Sequence, residues 1–340
     1  MFISYGVIKI TVLKILCPQN WNESRITPFL TELEHAITAA ELTIDFSPLQ
    51  FANPFATLLV AREIRNVVRY RFATGLETKA EGVNPSVNAV SYLGHVGFFQ
   101  FTGIDFGNKP NQAKGSSRYL PITIIKREEL QHSKLRIQEQ IKKRSRQLAL
   151  IALSGSIDDS YCDVLTYSFT EAIRNVFEHA NTDECIIMAQ GWDGGVAEIA
   201  IADEGRGLLA SLSESHVIST EKMAISEAIK PGISRITEPE NDDDWQNSGF
   251  GLYVISELGR RFGSFSLGSG NNLLLIIDRW NFWYPTPGSG TALKLRVKIS
   301  EPEYFPNILQ TIVDEGEQKA ASITGARKTA SKMSKSSTHL

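Results

Sequence analysis

Three polar residues recur at four-residue spacing in the stretch EAIRNVFEHA, namely Glu171, Asn175 and His179. If the stretch is helical, this spacing aligns them on one face, because residues four apart lie one turn above each other. An asparagine side-chain oxygen is a hard ligand suited to Mg²⁺, and a glutamate beside it can orient or deprotonate a nucleophile. The stripe therefore predicts a ligand-binding helix face, and a solvated face with an incidental asparagine is the alternative.

Two later stretches combine glycines with positions where a nucleotide could bind. IAIADEGRGL ends an apolar strand with Asp203, whose carboxylate can accept a hydrogen bond from the exocyclic amine of adenine. Its glycines, Gly205 and Gly207, let the backbone turn sharply beside a flat ligand. In NSGFGLYVISEL, Gly249 and Gly251 come directly before a predicted helix, whose free N–H groups favour an anion such as phosphate. Each glycine pair also occurs in ordinary turns, but together the two pairs favour a nucleotide site.

The order ExxxNxxxHA, DxGxG, GxGL and a final GT pair (Gly290 and Thr291) resembles the ATP-binding domain of the GHKL superfamily. That superfamily includes the ATP-binding domains of histidine kinases, anti-sigma-factor serine kinases and DNA gyrase. The resemblance covers about residues 158–299. It implies the Bergerat ATP-binding fold, a two-layer α/β sandwich of a mixed sheet and helices, with ATP bound beneath a mobile lid.

The resemblance also implies roles for single residues. Glu171 would be the catalytic base that activates a water or a protein hydroxyl, and Asn175 would coordinate Mg²⁺ that bridges the phosphates. Asp203 would bind the adenine amino group. The other implied nucleotide contacts are Gly205 and Gly207 in the adenine pocket, Thr291 beside the adenine, Gly249, Gly251 and Leu252 at the phosphate end, and His179 near the phosphates. The lid would span about residues 208–248, with Lys230 and Arg235 as phosphate contacts or, alternatively, as solvated charges.

The N-terminal stretch ELTIDFSPLQFANPFATLLVAREI, with AVSYLGHVGFF after it, resembles a STAS domain, the fold of anti-sigma-factor antagonists. Where that family carries an acceptor serine, this chain has Asn53, Pro54 and Phe55. The resemblance therefore implies a scaffold or a partner-binding module rather than a phosphorylation switch.

Strand and helix patterns alternate along the first part of the 340-residue chain, which predicts an α/β fold and, from the length, two domains. We place a STAS-like α/β domain at residues 1–125, a charged helical linker at 126–157 and the GHKL-type domain at 158–300. Residues 301–340 include a stretch rich in Ser, Thr, Ala and Lys, which predicts a disordered basic tail.

Composition narrows the possible partners. The formal net charge of −3 is no strong attraction for nucleic acid or anionic membrane, and no apolar run approaches the roughly 20 residues of a membrane helix. Three well-separated cysteines fit a reducing compartment. We therefore expect a cytoplasmic protein that binds a partner protein through its STAS-like domain, with a homodimer as a further possibility.

The leading functional hypothesis is an ATP-binding regulator that transfers the γ-phosphoryl group to Ser or Thr of a partner protein, with Mg²⁺ as cofactor. The TEAIRN sequence around Glu171 is similar to the SEAxxN signature of the anti-sigma-factor serine kinases. An ATP-gated interaction module with little turnover and an ATPase without kinase activity are the alternatives.

Overall fold

The computed structural model describes residues 12–132, 137–153, 159–233, 249–298 and 305–330. The chain forms a mixed α/β structure, which confirms the predicted class. The strands are β1 (Val12–Leu16), β2 (Asn20–Trp21), β3 (Glu41–Asp45), β4 (Phe51–Ala52), β5 (Thr78–Glu81), β6 (Tyr119–Lys126), β7 (Glu184–Trp192), β8 (Val196–Ala202), β9 (Gly263–Ser269), β10 (Asn272–Ile277), β11 (Trp280–Pro285) and β12 (Thr291–Lys298). The helices are α1 (Glu23–His35), α2 (Pro54–Ala73), α3 (Asn88–His95), α4 (Phe98–Thr102), α5 (Arg127–His132), α6 (Ile137–Ala152), α7 (Asp159–His179), α8 (Gly207–Leu212), α9 (Glu221–Ala228), α10 (Gly251–Phe262) and α11 (Phe305–Ser322).

The first part of the chain, β1 to α4, forms what we call the N-terminal unit. Its strands β1, β3 and β5 pair in parallel, and helices α1 and α2 provide the crossovers that parallel strands require. Both helices begin at an asparagine, because the side chains of Asn22 and Asn53 accept hydrogen bonds from backbone N–H groups of the first turn. Asn53 thus has a capping role at the start of α2.

A seven-stranded sheet, in the order β11-β10-β9-β12-β8-β7-β6, forms the middle layer of the molecule. Every neighbouring pair in it is antiparallel, so the mixed sheet implied by the resemblance is wrong. Strands β7 and β8 form a hairpin whose turn contains Gly194 and Gly195, both of which have positive φ.

Both faces of the inner strands of this sheet are buried, and β7, β8 and β10 are accordingly rich in apolar residues, whereas the edge strand β11 is largely exposed. On β8, Ile199 and Ile201 point to a core shared with α6, α7 and α10, whereas Ala200 and Ala202 point to the core of the N-terminal unit. The small alanines allow α2 to approach the sheet closely. The sheet is therefore covered on two sides, rather than on the one side expected for a two-layer sandwich.

The boundaries between the expected domains change in the structure. Strand β6, placed with residues 1–125, pairs with β7 and forms an edge of the large sheet. Most of the expected linker is also integrated, because α6 packs against α7 and buries Ile141, Leu148 and Ile151 in the same core. The stretch 126–157 is thus a structural part of the second half of the molecule where it is described.

The prediction of a disordered tail from residue 301 is wrong for residues 305–330. Helix α11 buries Leu309, Ile312 and Val313 in the core that contains α7 and α10. The error has a physical source: an apolar pattern, FPNILQTIV, precedes the polar segment, and a helix can bury one stripe while the rest stays polar. Residues 331–340 of the expected tail lie outside the described residues. Among the described helices, none has the length and hydrophobicity needed to cross a bilayer.

Candidate functional site

A single pocket lies between the sheet and the helices α7, α8, α9 and α10, and it contains most of the predicted site residues. The predicted residues on its wall are Glu171, Asn175, His179, Asp203, Gly207, Gly249, Gly251, Leu252 and Thr291. These residues come from four separate stretches of the chain. The fold therefore brings together the polar stripe, both glycine-containing stretches and the start of the last strand.

Helix α7 supplies the polar wall. Its core side buries Leu165, Phe169 and Ile173, so the stripe four residues apart faces the pocket instead. Asn175 and His179 lie one turn apart on this wall, which agrees with the spacing argument.

Glu171 lies at the pocket wall and is only 2% exposed. Its Oε2 accepts a hydrogen bond of 2.5 Å from the backbone N–H of Gly251, and its Oε1 accepts one from the Tyr167 hydroxyl. Gly251 is the first residue of α10, so the carboxylate stabilises a helix N-terminus where a negative charge is favoured. In this conformation Glu171 anchors α10.

The start of α10 also explains Gly251. A β-carbon at this position would collide with the side chain of Glu171. Gly251 therefore allows the helix to begin directly against α7, and Leu252 follows it on the pocket wall.

Asp203, at the end of β8, is 2% exposed and has defined partners. Its Oδ1 accepts a hydrogen bond of 2.8 Å from the N–H of Gly205, and its own N–H donates to the Thr291 carbonyl at 2.9 Å. Burial raises the pKa of the Asp203 carboxyl above its ordinary value, while the Gly205 N–H, the Arg62 guanidinium and Thr291 oppose the rise. The group is thus a buried acid whose ionised form depends on a few nearby donors.

The glycines of the site do different things. Gly205 does not lie on the pocket wall as expected: a β-carbon there would collide with the Ala180 carbonyl just beyond α7. This close approach lets the next residue, Arg206, donate from its N–H to that carbonyl at 2.8 Å and from its Nε to the His179 carbonyl at 2.8 Å. Gly205 therefore acts in packing. Gly290, with φ of 79°, is required because a β-carbon would collide with the Asp203 carbonyl.

Of the two predicted cationic phosphate contacts, the structure describes only Lys230. Lys230 follows α9 and forms an ion pair with Glu227 at 2.5 Å, and it does not belong to the pocket wall. Arg235 and most of the expected lid from 234 to 248 lie outside the described residues. The described part of the expected lid contains α8 and α9.

Sequence reasoning missed two features of the pocket. The first is its apolar surface, formed mainly by Ile201, Leu208, Leu212, Leu267 and Leu293. The alternation on β8 and β12 is the signal that could have placed Ile201 and Leu293 on the helical face of the sheet.

The second missed feature is Arg62 of α2. Its guanidinium Nη1 donates to the carbonyls of Asp203 at 3.0 Å and Thr291 at 3.2 Å. No local pattern distinguishes Arg62 from the other arginines of AREIRNVVRYR, because its partners are more than 140 residues away.

The pocket wall includes an oxygen ligand that suits Mg²⁺. Among the described residues, no three His, Cys, Asp or Glu side chains converge as a metal site. Mg²⁺ usually retains waters and binds through one or two protein oxygens together with substrate phosphates. The amide oxygen of Asn175 on the pocket wall is of this kind.

Comparison of this chain with protein-family models, with curated proteins and with solved structures finds no match.

Proposed function

We propose that this chain is an ATP-binding regulatory protein whose second half is a GHKL-type nucleotide domain with Mg²⁺ as cofactor. The observation that carries the proposal is the convergence of the α7 stripe, the Asp203 stretch, the Gly249–Gly251 stretch and Thr291 on one pocket. A flat ligand with an anionic end fits such a pocket, because one end is apolar with an acid and the other lies at a helix N-terminus.

The adenine end is supported by the chemistry of Asp203. A carboxylate oxygen accepts from the exocyclic amine of adenine, whereas guanine presents a carbonyl acceptor at the corresponding position. Leucine and isoleucine side chains of the wall provide the apolar contact that a base requires. The proposal therefore includes a preference for ATP over GTP.

The phosphate end is supported by Gly249 and Gly251 at the start of α10 and by Asn175 and His179 on the facing wall. Asn175 would supply an oxygen to Mg²⁺, whose chemistry when bound is to neutralise phosphate charge. The imidazole of His179 would face the phosphates, and in its protonated form it would be a hydrogen-bond donor to them.

For activity, we propose transfer of the γ-phosphoryl group to Ser or Thr of a partner protein, with the N-terminal unit as a STAS-like partner-binding module. Glu171 would be the base. To act so, its carboxylate would exchange the hydrogen bond from Tyr167 for one from the acceptor hydroxyl, because both oxygens are engaged in this conformation.

That engagement of Glu171 also favours the second candidate, an ATP-gated interaction module with little turnover. In this case Glu171 serves to hold α10 against α7, and ATP binding changes the surface near the lid. An ATPase without kinase activity is the third reading of the same pocket.

A binding experiment tests the shared part of these readings. Titration of the full chain with ATP and with GTP, each with and without Mg²⁺, should give tighter binding of ATP and tighter binding with the metal. Asn175→Ala should remove most of the Mg²⁺ effect, whereas Asn281→Ala on the exposed edge strand β11 should leave it unchanged. Absence of adenine-nucleotide binding by the wild-type chain would contradict the proposal.

A turnover experiment separates the activities. With γ-labelled ATP, label on a partner protein supports the kinase, free phosphate alone supports the ATPase, and binding without turnover supports the interaction module. Glu171→Gln keeps an acceptor oxygen for the Gly251 N–H, replaces the other oxygen with an N–H₂ donor and removes the charge. It should therefore abolish turnover while ATP binding persists if Glu171 is the base.

A further inference from the structure

One contact crosses the large sheet from the N-terminal unit to the proposed adenine site. Arg62 of α2 approaches from the face opposite the pocket and donates from one nitrogen, Nη1, to the backbone carbonyls of both Asp203 and Thr291. These are the two residues proposed to contact adenine, one at the end of β8 and the other at the start of β12. Arg62 is 6% exposed, so solvent does not compete for these hydrogen bonds.

The contact lies at the end of the antiparallel β8–β12 ladder, directly after the pair of Ala202 and Ala292. The N–H of Asp203 donates to the Thr291 carbonyl, and the same carbonyl accepts from Arg62. Arg62 Nη1 therefore adds a second link between the Asp203 and Thr291 backbones at the end of this ladder. Because Asp203 and Thr291 both line the pocket, loss of this link should shift their side chains there.

The charge of Arg62 also favours adenine recognition, because it stabilises the ionised carboxylate of Asp203. Removal of a buried cation beside a buried carboxyl favours the neutral acid. Burial already raises the pKa of Asp203, and the Arg62 guanidinium opposes that rise. A neutral Asp203 could donate to a guanine carbonyl as well as accept from adenine, so the charge of Arg62 supports discrimination between the two bases.

We propose that Arg62 is a positioning residue for adenine recognition, through which the N-terminal unit controls the affinity and base preference of the nucleotide pocket. This inference rests on the proposed function. It assigns to α2 a role in the nucleotide site in addition to its packing on the sheet.

Other ionisable groups surround the same acid and must be held constant in a test. Glu63 lies on α2, Glu204 follows Asp203, and Arg65 and Arg69 form ion pairs with Glu204. The remaining groups are Cys185 on β7 and, on the α7 wall, His179 and Glu171. A comparison of variants with the wild-type chain over the same pH range cancels the titration of these shared groups.

The test measures ATP and GTP affinity between pH 5 and pH 8 for the full chain and three variants. Arg62→Gln removes the charge, and Arg62→Lys keeps it on a shorter side chain. Arg69→Gln is the matched control, because Arg69 lies two turns along α2, carries the same charge and pairs with Glu204 at 3.0 Å. Circular dichroism and thermal unfolding verify that each variant is folded.

We expect Arg62→Gln to weaken ATP binding by about tenfold or more, as for loss of hydrogen bonds to a buried site. Its ATP-over-GTP ratio should fall, and the pH below which ATP affinity is lost should rise. Arg62→Lys should weaken ATP binding and lower the ratio but keep the wild-type pH midpoint. Arg69→Gln should match the wild-type chain within about twofold.

An Arg62→Gln variant that folds and retains the wild-type base ratio and pH midpoint overturns the inference, even if overall affinity falls, because a merely structural role predicts that result. If Arg62→Gln does not fold, an unchanged base ratio in Arg62→Lys overturns it instead. If the wild-type chain binds no adenine nucleotide, the proposed function itself fails, and this outcome is distinct from the other two.

Discussion

The two faces of the seven-stranded sheet differ in the environment of their polar side chains. On the face towards the N-terminal unit, buried acids pair with cations: Glu23 with the buried Lys294, and Glu198 with the half-exposed Arg296 at 3.1 Å. On the face towards α7 and α10, polar side chains line a pocket. A buried charge without compensation is costly, so the first arrangement keeps two layers together, whereas the second leaves a surface for a ligand.

Asp203 belongs to both faces. Its side chain lies at the pocket, and its carbonyl accepts from Arg62 on the other side. The comparison therefore predicts that changes on the first face alter stability, that changes on the pocket face alter binding, and that Arg62 alters both. The following experiments test this division, beginning with the largest expected effect.

Lys294→Met should lower the free energy of unfolding by about 3 kcal/mol, because it leaves the carboxylate of Glu23 buried without its cation. Burial alone would raise the pKa of Glu23, but Lys294 and Ser266 more than offset this and lower it. Denaturant unfolding measures the change. The double variant Glu23→Gln with Lys294→Met should recover most of the loss, and Arg118→Met, in the exposed pair with Asp193, should change stability by less than about 0.5 kcal/mol. Equal costs for Lys294→Met and Arg118→Met would remove the distinction between the faces.

Asp203→Asn should weaken ATP binding by about 10- to 100-fold, which corresponds to about 1.4–2.8 kcal/mol. Asparagine keeps one acceptor oxygen but places an N–H₂ donor where the second oxygen was, and a donor does not pair with the adenine amine. Calorimetry measures the affinity. Asp193→Asn, at the opposite end of β8 in the exposed turn, is the control and should bind as the wild-type chain does. Full affinity in Asp203→Asn would remove Asp203 from the site.

Glu63 provides a prediction about pH on the first face. Burial raises the pKa of Glu63 to about 7, with Arg62 opposing the rise. Since the unfolded chain ionises this group at a lower pH than the folded chain, its contribution to stability decreases as pH rises from about 4.5 to 7. The free energy of unfolding of Glu63→Gln, relative to that of the wild-type chain, should therefore increase by on the order of 2 kcal/mol between pH 5 and pH 8. Urea unfolding of both proteins at both pH values measures this, and a constant difference between them would show that Glu63 does not titrate in this range.

Lys230→Ala should have the smallest effect. Lys230 pairs with Glu227 near the surface and is absent from the pocket wall, so we expect less than about 0.5 kcal/mol in stability and less than about twofold in ATP affinity. The same titration and unfolding measurements apply. A loss of tenfold or more in affinity would instead make Lys230 a phosphate contact of the ATP-bound state.

Much of the second half could be predicted because its signals are local. The α7 stripe follows from a helical period of 3.6, and the β7–β8 hairpin follows from its glycine turn. The pocket residues carry their own chemistry, so Glu171, Asn175 and Asp203 could be named from type and spacing. Gly205 could not be separated from Gly207 in this way, because its packing partner, Ala180, comes from another element.

Other features of the fold could not be predicted from the sequence, because they depend on contacts between residues that are far apart in the chain. The pairing of β6 with β7 joins residues about 65 apart to form a sheet edge, and no feature of YLPITIIK specifies which sheet it joins. Helix α11 is stable through burial against α7 and α10 rather than through its own sequence, which is polar over most of its length.

The sequence by itself determined most of the polar residues and glycines that meet at the pocket and the local elements that carry them, since periodicity, capping and turn chemistry act over a few residues. Only the tertiary structure decided that both faces of the large sheet are covered, that Glu171 is held by Tyr167 and Gly251, and that Arg62 lies behind Asp203. These features depend on buried charged groups and carbonyls whose partners lie far away in the sequence. A residue's type limits its partners, but the packing of the layers selects among them.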